Sequence, residues 1–132
     1  MERRTLLCVV LACFAFTSCA IQQRIDVTAP TSQECRGATC DVDVSVSGND
    51  IVVVDYVIVK QPVNIRWNLP NGSPYTIAID IIGGGSVFRC NANGQRQYIC
   101  IDNKEGGVKV YKYTIKLTGP NNLEKDPYIV ND

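Results

Sequence analysis

Tyr75-Thr76-Ile77-Ala78-Ile79-Asp80-Ile81 decides the fold of this chain. Its large apolar residues fall on every second position, with Thr76, Ala78 and Asp80 between them. A period of two puts one kind of side chain on each face of a strand, whereas a helix would need apolar residues three and four apart. The flanks agree. Pro70-Asn71-Gly72-Ser73-Pro74 is a dense turn signal before it, and Gly83-Gly84-Gly85 ends it.

The same alternation recurs in both directions. Val63, Ile65, Trp67 and Leu69 share one face, with Asn64, Arg66 and Asn68 opposite. Val42, Val44 and Val46 alternate with Asp41, Asp43, Ser45 and Ser47. Ile51 to Val59 is β-branched and nearly continuous, so it forms one buried strand or two short ones bent at Asp55. Ser86 to Cys90 and Gln95 to Ile101 flank a turn at Asn91–Gly94. From Val108 to Leu117, Tyr111, Tyr113, Ile115 and Leu117 share a face, and Val110, Lys112, Thr114 and Lys116 share the other. About seven strands at roughly ten-residue spacing predict an all-β fold, a two-sheet antiparallel β-sandwich such as immunoglobulin-like domains form.

The first residues carry an address. Arg3 and Arg4 precede an apolar run from Thr5 to Phe16, and small residues Thr17, Ser18, Cys19 and Ala20 follow. That is the layout of a secretory signal peptide, and the run is too short to span a hydrocarbon core of ~30 Å. Phe16-Thr17-Ser18-Cys19 resembles the lipobox of bacterial lipoproteins, although the family usually has Leu where Phe16 stands. The resemblance implies acylation of Cys19 (palmitate-type chains) and an anchor in the membrane. With Ala20 following, it implies the outer membrane or its periplasmic face. Val10-Leu11-Ala12-Cys13 matches by letter but leaves a shorter apolar core, and cleavage after Ala20 would give a soluble periplasmic or secreted protein. The expected organisation is a signal peptide over 1–18, a flexible tether over 19–38 and a sandwich domain over 39–132.

Charge and cysteine content narrow the function classes. With Glu2, Arg3 and Arg4 removed in the leader, 13 acidic and 13 basic residues become 12 and 11. No segment is strongly basic, which argues against a nucleic-acid partner. Cys35, Cys40, Cys90 and Cys100 remain after Cys8, Cys13 and Cys19 are set aside. In an oxidising compartment four cysteines read as disulfides. Spacing favours Cys35–Cys40 and Cys90–Cys100. If Asn91–Gly94 were a tight four-residue loop, however, Cys90 would face Gln95, and a wider loop or a cross-sheet pairing would be needed. There is no histidine. Ser-His-Asp and Cys-His nucleophile systems and His-based metal sites are therefore impossible, and without a CxxC pair zinc has little support.

No catalytic residue, metal or other cofactor is expected. Asp41, Asp43, Asp50, Asp55 and Asp80 keep carboxylate-only glycan hydrolysis open on paper. Asp41, Asp43 and Asp80 fall on polar strand faces, and Lys104 sits among the oxygen ligands a calcium loop at Asp102–Gly106 would need. Trp67, Tyr111 and Tyr113 belong to the core. Tyr56, Tyr75 and Tyr98 are the remaining aromatic candidates for a carbohydrate or protein surface. The candidate binding loops are Asn71, Gly72 and Ser73 with Tyr75, and Asn91 with Asn93.

Two further resemblances bear on the fold. Ile51 through Ala78, with Val63–Asn68 followed by Pro74-Tyr75-Thr76, resembles the first half of a cupredoxin, where a Pro-His-Asn loop supplies a copper ligand. Tyr75 stands in that place, and Val110–Ile115 has none of the family's Cys, His and Met ligands, so the likeness implies a sandwich without copper. Phe88–Cys100, Tyr111–Ile115 and the tail Asp126-Pro127-Tyr128-Ile129-Val130-Asn131-Asp132 resemble a group of small bacterial envelope proteins that share a YKYT-type strand and a DPxIVN ending. That likeness supports the Cys90–Cys100 pair and implies no activity. The expected function is a non-enzymatic envelope lipoprotein that binds an envelope protein or glycan. A carboxylate-dependent glycan hydrolase and an inhibitor of a secreted hydrolase are the alternatives.

Overall fold

The computed structural model describes residues 29–132. The leader and Cys19 lie outside the described residues. Twelve strands run through the described chain: β1 Ser32–Glu34, β2 Thr39–Asp43, β3 Ser45–Ser47, β4 Asp50–Val52, β5 Tyr56–Val59, β6 Val63–Asn68, β7 Thr76–Ile81, β8 Phe88–Ala92, β9 Gln97–Asp102, β10 Lys109–Thr118, β11 Leu123–Lys125 and β12 Tyr128–Asn131. A single 3-10 turn, Gly85–Val87, precedes β8.

The strands form a sandwich. One sheet runs β1-β5-β12-β10-β11, with β7 on β10, and the other runs β2-β6-β9-β8. The β3–β4 hairpin stands apart and ties to β11 where Lys125 Nζ donates to the Ile51 carbonyl at 3.2 Å. β11 and β12 continue one line opposite β10. Ile115 faces Lys125 and Lys112 faces Tyr128, and the Tyr113 amide bonds to the Pro127 carbonyl between them.

The antiparallel expectation is corrected in part, because β1–β5, β12–β5 and β2–β6 are parallel. The chain crosses from one sheet to the other after β1 and again after β5, so these neighbours are not hairpin partners and no tight turn sets their direction. The strand count exceeds seven for a related reason. The run Ile51–Val59 bends at Asp55 into β4 and β5, which join different sheets, and Val42–Ser47 divides at Val44. The segment read as a tether contributes β1. The Thr31 carbonyl accepts from the Asp55 and Tyr56 amides, and Gln33 Nε2 donates to the Asp41 carbonyl at 2.7 Å.

The core lies between the sheets. Val42, Ile65, Trp67 and Cys100 meet Val57, Ile77, Tyr113, Ile115, Leu117 and Ile129 there. These are the alternating apolar positions of the sequence. Within the core, three contacts between side chains tie sheet to sheet. Trp67 Nε1 donates to the Tyr113 hydroxyl at 3.2 Å, with the ring centroids 5.3 Å apart. Phe88 meets Tyr111 edge to face at 4.9 Å. Asn131 Nδ2 donates to Asp102 Oδ1 at 3.2 Å.

Both disulfides form as the spacing favours. Cys35–Cys40 closes the turn between β1 and β2, where Gly37 takes a φ of 84°. Cys90 and Cys100 lie directly opposite each other on β8 and β9 with Cα atoms 4.0 Å apart. Asn91 and Ala92 are strand rather than turn, and the reversal comes later, with the Asn93 amide on the Gln97 carbonyl and Gly94 at a φ of 75°. The turn is thus no wider than the one expected at Asn91–Gly94 but lies two residues further along, between β8 and β9, and that shift brings Cys90 opposite Cys100.

Candidate functional site

Of the sequence-predicted loops, the turn at Asn71–Ser73 and the turn after Asn93 are neighbours, because the Leu69 amide bonds to the Arg96 carbonyl at 2.8 Å and the Ile77 amide to the Gln95 carbonyl at 3.0 Å. Asn71 and Gly72 are exposed in the turn before β7, Asn91 is exposed on β8, and Asn93 bonds through its side chain to Gln97. Tyr75 is a correction. It is 7% exposed, and its ring and backbone pack so closely on Gly119 that a Cβ there would sit 2.9 Å from both Tyr75 Cδ1 and the Pro74 carbonyl. A residue that begins an alternating apolar face belongs to that face, so Tyr75 is core. Tyr98 is half-buried on the inward face of β9, opposite Trp67.

Two of the candidate carboxylates, Asp41 and Asp55, are engaged in structural contacts. Asp41 accepts from Arg66 Nε at 2.8 Å and Nη2 at 2.6 Å, and from Asn68 Nδ2 at 3.0 Å. The Arg66 hydrogen bond holds the Asp41 carboxyl below the usual aspartate range. Asp80 is exposed on the outer face of β7. Asp55 occupies the bend before β5, and Oδ2 accepts from the Thr31 amide at 2.8 Å and the Thr31 hydroxyl at 3.2 Å. The backbone bond keeps it ionised at lower pH than usual. Among the described residues, no group of three or more His, Cys, Asp or Glu is placed to hold a metal ion.

The outer face of the larger sheet does gather residues of one kind. Alternation sends Tyr56 and Ile58 outward from β5 while Val57 and Val59 are buried. On β12, Tyr128 and Val130 point outward while Ile129 and Asn131 are buried. Register aligns them: Tyr56 with Tyr128 and Lys112 in one row, Ile58 with Val130 and Val110 in the next. The tyrosine rings stack at 5.6 Å with 20° between planes. Val110 remains 55% exposed and Tyr128 37%. An apolar stripe therefore crosses three neighbouring strands on the solvent side, edged by Glu34 on β1 and by Lys112.

The stripe opens into a cleft of about 350 Å³ lined by Pro30, Asp55, Tyr56, Lys125, Asp126, Pro127 and Tyr128. The cleft exists because both bordering lines break there: β5 begins after the bend at Asp55, and β11 gives way to β12 at Asp126-Pro127, where Pro127 offers no amide to the ladder. Asp126 accepts from Lys112 Nζ at 3.0 Å and from the Thr114 hydroxyl at 2.8 Å. The Lys112 bond pulls the Asp126 carboxyl below its ordinary value, and the same pairing raises Lys112. Both cleft carboxyls are thus stabilised as anions.

Sequence reading missed this stripe. Tyr128 and Val130 sit in the tail beyond the last alternating run, and Val110 shares a face with Lys112, Thr114 and Lys116. The signals were present: Tyr128, Ile129 and Val130 are strand formers, and Val110 is an apolar residue on an otherwise polar side. No helix among the described residues is long and apolar enough to cross a membrane. No protein-family model matches the chain, and no curated protein matches it. What the fold and the surface define is a class, a disulfide-stapled β-sandwich.

Proposed function

We propose that this chain is a non-enzymatic cell-envelope lipoprotein, held in the membrane by acyl chains on Cys19, whose sandwich is an accessory module that docks a protein partner through the outer face of its larger sheet. The observation that carries the reading is the stripe of Tyr56, Ile58, Tyr128, Val130 and Val110 on the solvent side of three paired strands. Sandwich strands normally turn polar residues outward, and an exposed apolar group with aromatic anchors is a feature of interaction surfaces. The aliphatic half of the stripe favours a protein over a glycan, because Ile58, Val130 and Val110 offer sugar hydroxyls no partner.

The length of chain between Cys19 and the sandwich supports the same reading. From Cys19 to Ala29 the chain reaches at most about 35 Å, at roughly 3.4 Å per residue. Pro30, the next residue, lines the cleft at the end of the stripe. A partner would then be met close to the membrane that holds Cys19. The hydrolase alternative needs one carboxyl kept protonated as an acid beside an ionised base or nucleophile. Asp55 and Asp126 share the cleft, yet both are shifted toward ionisation, which favours the binding reading.

The test uses the full chain expressed in a bacterial envelope. Intact mass of the membrane-extracted protein should show cleavage before Cys19, an added acyl mass there and two disulfides. Photo-crosslinking from position 110 or 130 should trap a defined envelope protein, and Tyr56→Ser with Tyr128→Ser should abolish the product while the same crosslinker at Asn71 gives none. Equal crosslinking from position 71, or retention of purified glycan that survives the tyrosine substitutions, would defeat the proposal.

A further inference from the structure

Asp102 and Asn131 are the buried polar residues of the core, at 0% and 1% exposure. They sit on opposite sheets, Asp102 at the end of β9 and Asn131 at the end of β12. Asn131 Nδ2 donates to Asp102 Oδ1 at 3.2 Å, and the Lys104 amide donates to the same oxygen at 2.7 Å. That second bond closes a turn in which Lys104 takes a φ of 48°. Asp102 Oδ2 and Asn131 Oδ1 are then left, both buried and neither facing a protein donor. A buried acceptor without a donor costs about 1–3 kcal/mol, and an unpaired buried charge costs more.

One proton resolves both atoms. On Asp102 Oδ2 it makes a donor for Asn131 Oδ1 and closes a ring of two hydrogen bonds between a carboxylic acid and a carboxamide. We propose that Asp102 and Asn131 form such a proton-completed pair, a neutral latch that holds the C-terminal strand to the opposite sheet and opens when the proton is lost. The neighbours are consistent with a neutral acid. Val63 on β6 and Phe88 on β8 flank Asp102, and Val59 on β5 flanks Asn131. The charged groups nearby are Lys104 in the following turn, Lys109 across from Asn131 and Asp132 beside it. Lys104 favours ionisation of Asp102, and Lys109 places its Nζ 5.1 Å from the Tyr111 ring centre instead. Burial is the largest influence and pushes the Asp102 carboxyl up.

The latch goes beyond the docking reading and stands without it, but it touches the same strand. β12 turns Asn131 inward to the latch and Tyr128 and Val130 outward to the stripe. A carboxyl with a raised folded value contributes stability that is complete below the ordinary aspartate value near 3.8 and is lost as pH climbs through the raised value.

The experiment follows the denaturation midpoint of the full chain from pH ~4 to ~9, together with a carbon-13 NMR titration of the Asp102 carboxyl in the folded protein. Wild type should lose stability as pH rises through the window, with the Asp102 resonance titrating above the ordinary aspartate range. Asp102→Asn supplies a permanent donor in the place of the proton, so it should flatten that part of the profile and match or exceed wild type at the upper end. An Asp102 resonance that titrates at the ordinary value would overturn the latch. So would an Asp102→Asn variant less stable than wild type throughout, the result expected of an ionised carboxylate bridged by water. Should Asp102→Asn fail to fold, the wild-type titration decides alone.

Discussion

Tyr113→Phe removes one oxygen from the centre of the sandwich, and its effect can be worked out from the geometry. Trp67 and Tyr113 are both 0% exposed, and the Tyr113 hydroxyl accepts the Trp67 indole N–H at 3.2 Å across the gap between sheets. Phenylalanine keeps the ring in place and leaves the indole donor dry and unpaired. An orphaned buried donor costs about 1–3 kcal/mol, more than the net worth of about 1 kcal/mol of the average hydrogen bond. In a domain of about 100 residues, 1 kcal/mol moves Tm by about 4–8 °C. Tyr113→Phe should therefore lower Tm by about 4–24 °C with its denaturant m-value unchanged. Trp67→Phe alone orphans the hydroxyl and opens a cavity. Combined with Tyr113→Phe it leaves no orphan, so the double variant should be less destabilised than the sum of the singles. Urea unfolding of the four proteins, followed by far-ultraviolet circular dichroism, measures that coupling. A Tyr113→Phe variant as stable as wild type, or strictly additive singles, would refute the claim that this bond spans the core.

Four more outcomes follow from the same contacts. Burial pushes the Tyr113 hydroxyl up to about 12, so wild type should lose stability as pH rises from 10 toward that value, and Tyr113→Phe should not show this component in alkaline unfolding curves. Asp41→Asn breaks the Arg66 fork, but both side chains are more than a third exposed, so the cost should stay below about 1 kcal/mol and shrink with salt; in wild type this contribution is present above the ordinary aspartate value and lost as pH falls below it. Replacing both cysteines of a pair with Ala should cost about 2 kcal/mol for Cys35–Cys40 and about 3 kcal/mol for Cys90–Cys100, as the separations of 5 and 10 residues imply for chain entropy, measured as shifts in urea midpoint. Gly119→Ala should cost about 1–3 kcal/mol, since the new Cβ meets the Pro74 backbone oxygen, which has no rotamer to escape into; a neutral result in thermal melts would contradict the packing.

The parts of the fold that could be read from the sequence are those where period and turn chemistry act locally. Val63–Asn68, Thr76–Ile81 and the strand ending at Leu117 each alternate cleanly, and each buries the face that the alternation selects. Trp67, Tyr111 and Tyr113 are core for that reason. Direction and neighbour choice were not legible. Nothing in Thr39–Asp43 says that it will lie parallel to Val63–Asn68, because that arrangement follows from the chain crossing between sheets. Short edge strands were hidden as well. Ser32–Glu34 has no apolar alternation, and its order comes from Thr31 and Asp55, 24 residues apart.

The surface was harder to read than the core for a physical reason. An apolar residue on the wrong face of one strand is common and means little by itself. It acquires meaning when register brings several together, and register is a property of pairs of strands. Val110 looked like an exception on the polar side of its strand. Tyr56 and Ile58 looked like part of a continuous buried run, and Tyr128 and Val130 fell in a tail with no visible period. Only when β12 inserts between β5 and β10 do five scattered exceptions become one stripe. The same insertion carries Asn131 inward to Asp102, 29 residues distant. The apolar stripe and the Asp102–Asn131 contact are therefore two faces of one event, the addition of the C-terminal strand to the larger sheet. Separating them experimentally needs outward substitutions at Tyr128 and Val130 and inward ones at Asn131.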